Sequence, residues 1–106
     1  MLIDAKTLRE IQLKELCLMR DHLWTILDQS EKQFEEHLID AAKRQKTSTI
    51  CTVEFTCPNC ETLRAVCMDL VTKFYKHSGF KSVKIVHYLT YANNIRGFEI
   101  EFDWSE

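Results

Sequence analysis

Apolar residues return at intervals of three and four from Leu8 to Ala41 (Leu8, Ile11, Leu16, Met19, Leu23, Ile26 or Leu27, Phe34, Leu38, Ala41), while Lys14, Arg20, Asp28, Lys32, Glu35 and Lys43 fall between them. That spacing brings the apolar side chains back to one side of a 3.6-residue helix, and it predicts an amphipathic helical region over residues 1–46. Asp4 is placed to begin it, since a carboxylate at the N-cap accepts a hydrogen bond from a backbone N–H of the following turn. The stripe has one weak point. Between Asp28 and Gln33, Ser30 and Gln33 fit a capping box that would start a second helix. One long helix is the favoured reading.

Residues 47–106 read as β-α-β-β. From Thr47 to Thr56 the chain is rich in β-branched residues and alternates, with Thr49, Cys51, Val53 and Phe55 on one side and Ser48, Ile50, Thr52 and Glu54 on the other, which predicts a strand. Cys57-Pro58-Asn59-Cys60 then opens a helix with an apolar stripe of Leu63, Val66, Cys67, Leu70, Val71 and Phe74, and Gly79 is placed to end it in a left-handed cap. The strand-to-helix junction is expected at Cys57. Two further alternating runs follow, Val83, Ile85, His87 and Leu89 sharing one face, then Phe98, Ile100, Phe102 and Trp104 opposite Glu99, Glu101 and Asp103. Separated by a turn at Asn93-Asn94, they predict a C-terminal antiparallel hairpin with one wet side. The fold class is therefore α+β: a long N-terminal helical region and a small three-stranded sheet with helices on one face, in the order α-β-α-β-β, all in a single domain, 1–106.

The length of the first helix carries the main functional expectation. At ~1.5 Å per residue, an uninterrupted helix from Asp4 to Lys46 is on the order of 60 Å long, more than a small three-stranded sheet can cover. Part of the stripe is then left without an intramolecular partner, and exposed apolar surface of that extent marks an interface. Self-association through this helix follows, the alternative being a bent helix folded over its own sheet.

Composition narrows the remaining classes. Fourteen basic and sixteen acidic residues give a net charge of -2, so the positive field that gathers nucleic acid or an anionic membrane is missing, and nucleic acid is an unexpected partner. No apolar run approaches the ~18 to 20 residues of a membrane span. The first residues lack a charged segment followed by an apolar one, so the chain is expected to remain in the compartment where it is made. The five cysteines (Cys17, Cys51, Cys57, Cys60, Cys67) are odd in number and read as reduced thiols.

Chemistry has few places to reside. Cys57 and Cys60 form a C-x-x-C motif, and a thiol at a helix N-terminus has its thiolate favoured by the helix dipole and by free N–H donors. Strand, C-P-x-C and helix in succession resemble the active-site segment of glutaredoxins, which implies Cys57 as nucleophile and Cys60 as the resolving thiol. The resemblance covers some twenty residues; the cis-proline of that fold has no counterpart, because Pro58 lies inside the motif and is the only proline. The same two residues are the candidate ligands for zinc, although a structural site wants four and a second pair is missing. Glu99, Glu101 and Asp103 make an acidic row whose simplest reading is a solvated outer face. Lys43, Arg44 and Lys46 sit where the helix dipole favours cations. No nucleotide-binding, serine-nucleophile or metalloprotease motif is present. No catalytic residue, cofactor or resident metal is therefore assigned, and Cys57 and Cys60 are the redox or metal candidates.

A set of ordered landmarks (Ile3-Asp4-Ala5-Lys6, Ile39-Asp40-Ala41-Ala42-Lys43 before Thr47-Ser48, Gly79-Phe80-Lys81-Ser82-Val83 and a closing alternating strand ending at Trp104) resembles small α+β proteins of unknown function encoded by tailed bacteriophages and large DNA viruses. Lys46 stands where a glycine is frequent in that group. The resemblance implies a viral accessory or virion-associated protein, in the host cytoplasm or the virion. It carries over no catalytic residue. Three function classes remain: a non-enzymatic structural or interaction protein forming a homo-oligomer or part of a larger viral assembly; a counter-defence binding module sequestering a small host ligand; and a thiol redox or zinc protein.

Overall fold

The computed structural model describes residues 2–106. In chain order it contains helix α1 (Ala5–Lys43), strand β1 (Ser48–Pro58), helix α2 (Glu61–Phe74) and strands β2 (Ser82–Tyr91) and β3 (Asn94–Asp103). The α-β-α-β-β order is as the sequence predicts. α1 is one uninterrupted helix of 39 residues. The Asp4 side chain accepts from the Thr7 amide at 2.8 Å and caps it. At Ser30 no break occurs, because Leu27 and Phe34 on either side are pinned in the core and hold the helical phase through the polar stretch.

The C-terminus of α1 closes in a Schellman arrangement: the Lys46 amide donates to the Ala41 carbonyl and the Gln45 amide to that of Ala42. Gln45 takes the left-handed conformation this requires, at φ 66°. The chain then reverses, and β1 runs back along α1.

The three strands form one antiparallel sheet in the order β1-β3-β2. The last strand is thus central, and its inward residues Ile95, Phe98, Ile100 and Phe102 are fully buried. From β1 the alternation buries Cys51, Val53, Phe55 and Cys57; from the helices come Leu23, Leu27, Phe34, Cys67, Leu70 and Val71. Both helices pack on this one face. Phe34 and Tyr75 meet Phe102 edge-on at 5.9 and 5.0 Å between ring centroids, joining α1, the end of α2 and the sheet around one ring.

Three local expectations are corrected. β1 continues through Pro58 and α2 starts at Glu61 with Cys60 as its N-cap, so the junction lies three residues beyond Cys57. Cys57 pairs with Ile95 and Pro58 with Asn94, and pairing to β3 outweighs the local preference of proline for a first helical turn. α2 ends at Phe74, well before Gly79, because Phe74 and Tyr75 are held by packing; Gly79 does have positive φ, 79°, but in the following loop. In β2 the alternation slips: Ile85 faces Ile100 while His87 faces Glu99, leaving Val86 as a bulged extra residue. Tyr88 therefore takes the inward place expected of His87, packing on Phe98 and donating from its hydroxyl to the Arg64 carbonyl at 2.9 Å.

Candidate functional site

Strand and helix advance at different rates, and that difference makes the site. Eleven residues of β1 at ~3.3 Å each retrace about 36 Å, the length of roughly 24 helical residues. Counted back from Lys43, β1 runs out near Met19. The first buried residue of α1 is Leu23, and between Ala5 and His22 only Thr7, Leu16 and Met19 are even partly covered. The molecule measures 63 × 29 × 22 Å, its long axis set by this helix.

The face that turns toward the sheet does not change at this boundary. Stepping back from the buried Phe34, Leu27 and Leu23, the same side of the helix carries Met19, Leu16, Gln12 and Leu8. Beneath them, where the sheet ends, an open cleft of about 950 Å³ lies between α1 and the β1–α2 junction. Its walls are mostly apolar. Leu13, Leu16 and Met19 form one side, Phe55, Pro58 and Leu63 the other. His22 stands at the inner end, its ring 5.6 Å from that of Phe55. Leu2, Ile3, Leu8, Ile11, Leu13 and Leu18 are all exposed, Leu2 at 92%. Of these, Leu8 continues the inward face of α1, Ile11 and Leu18 project from its other side, and Leu2 and Ile3 precede the helix.

The two cysteine candidates separate at the cleft floor. Cys57 is buried on the inner face of the sheet and Cys60 is exposed at the N-terminus of α2, where its side chain makes no capping hydrogen bond. The third thiol nearby is Cys67 of α2, fully buried. Burial pushes the Cys57 thiol up from its ordinary value, the neighbouring Cys67 thiol acting in the other direction. Burial likewise pushes Cys67 to about 12 and Cys51 to about 11. This is opposite to the low thiolate that a redox nucleophile needs, and the residue that sits at the helix N-terminus is Cys60. Among the described residues no group of three or more His, Cys, Asp or Glu side chains converges as metal ligands would.

The other charged candidates make ordinary surface. Glu101 reaches Lys84 at 3.8 Å. Asp103 accepts from the Ser105 amide and hydroxyl at 2.9 and 2.7 Å, bonds that hold its carboxyl below the usual range. Glu99 lies opposite His87 and Thr52 on the outer face. Arg44 pairs with Asp40 at 3.3 Å in the last turn of α1. No helix among the described residues is long and apolar enough to cross a membrane.

The excess helix length was legible from residue counting, but the cleft walls were not: Phe55, Pro58 and Leu63 come from a different part of the chain. No protein-family model, curated protein or solved structure matches this chain.

Proposed function

We propose that this chain is a non-enzymatic structural or interaction subunit that assembles through the projecting half of α1. The observation that carries the reading is the continuity of one apolar helix face across two environments. From Leu23 to Ala41 it seals the core, whereas towards the N-terminus the cover thins out, Leu16 and Met19 being half-buried across the cleft from Phe55, Pro58 and Leu63 and Leu8 being exposed. Sealing such a stripe with protein stabilises by about 25 cal/mol per Å² of apolar area removed from water. The resemblance to small phage and large-virus proteins supports a viral accessory or virion-associated setting, in which subunits of this size gain stability by assembling.

Native mass spectrometry and sedimentation of the reduced chain test this, with Leu8→Glu/Leu16→Glu as the comparison. Both positions lie outside the core, so the double variant keeps its fold by circular dichroism. The expected result is an oligomer for the parent chain and a folded monomer for the variant. A parent chain that stays monomeric at high micromolar concentration overturns the reading.

The cleft supports a second reading, a module that holds a small ligand. Its volume is of the size used by small-molecule sites, and His22, Glu15 and Gln12 supply polar groups along an apolar wall. A stoichiometric ligand mass retained in the same native spectrum would favour it.

A further inference from the structure

We draw no further inference here: the strongest candidate, the open apolar cleft between the projecting half of α1 and the β1–α2 junction with the exposed Cys60 at its floor, carries none, because it belongs to the site already described and nothing in the structure shows what covers it.

Discussion

Gly97 presses against the backbone carbonyl of Val53 so closely that a β-carbon on residue 97 would overlap the Val53 oxygen. The contact sits where the pairing of β3 slips against both neighbours, with Arg96 at the bulge. The strands on either side are buried through Val53 and Phe98, so neither backbone can withdraw without opening the core. Gly97→Ala is therefore expected to destabilise the fold by about 3 kcal/mol, at the upper end of what overpacking costs. Urea unfolding monitored by tryptophan fluorescence measures it, and a change below about 0.5 kcal/mol would show that the bulge yields.

The two halves of α1 are expected to respond differently to truncation. Leu23→Ala and Leu27→Ala remove fully buried side chains from beneath the sheet and should lower stability by about 2 to 5 kcal/mol at any protein concentration. Leu8→Ala removes a side chain that is 47% exposed and should leave the unfolding of dilute protein within about 0.5 kcal/mol. What it should abolish is the rise of Tm with protein concentration that an assembling chain shows. Thermal unfolding over a range of concentrations distinguishes the two; a Leu8→Ala variant as concentration-dependent as the parent would place the contact elsewhere on the helix.

At the end of α1 the left-handed position is held by Gln45. A side chain there crowds its own backbone, whereas glycine takes the conformation freely. Gln45→Gly is expected to raise stability by about 0.5 to 1 kcal/mol, the relief of strain exceeding the added freedom of the unfolded chain. The same substitution at Lys46, which donates to Ala41 from an ordinary conformation, should bring no gain. Paired denaturation curves settle the comparison.

These positions also mark what the sequence made readable. Apolar periodicity placed all five elements in order, and the helix length alone predicted surface that the sheet could not cover. The local errors share a cause: each concerned a position where pairing or packing with a distant segment overrode a nearby signal. Pro58 reads as the start of a helix until β3 pairs with it. His87 reads as inward-facing until Val86 bulges and Tyr88 takes its place against Phe98. Gly79 reads as a helix stop, although Phe74 and Tyr75 fix the end of α2 earlier. The cleft belongs to the same class, because His22, Phe55 and Leu63 meet only once α1 and β1 have been laid side by side.

Burial separates the five thiols into two groups, and native reactivity should report it. Cys17 and Cys60 are exposed, whereas Cys51, Cys57 and Cys67 are buried. A chromogenic disulfide reagent should label two thiols rapidly in the folded protein and the other three only on unfolding. The buried group should also govern stability at alkaline pH. In the folded state Cys51 is held near 11 and Cys67 near 12, against an ordinary value of 9.0, because burial disfavours the thiolate. The neutral thiol is thus the folded form, and its contribution is complete below about pH 9. As pH rises from there toward the folded values, the unfolded chain ionises while the folded one does not, and stability falls by about 1.4 kcal/mol per pH unit for each thiol. Tyr75, pushed up by burial in the same way, adds to the loss above its ordinary value of 10.0. Urea unfolding of reduced protein between about pH 8 and pH 10.5 should show this decline, and Cys51→Ala, whatever its effect at neutral pH, should make the decline shallower. A stability unchanged across that interval would mean that the thiols ionise as easily in the folded chain as in the unfolded one, and that the inner face of the sheet admits water.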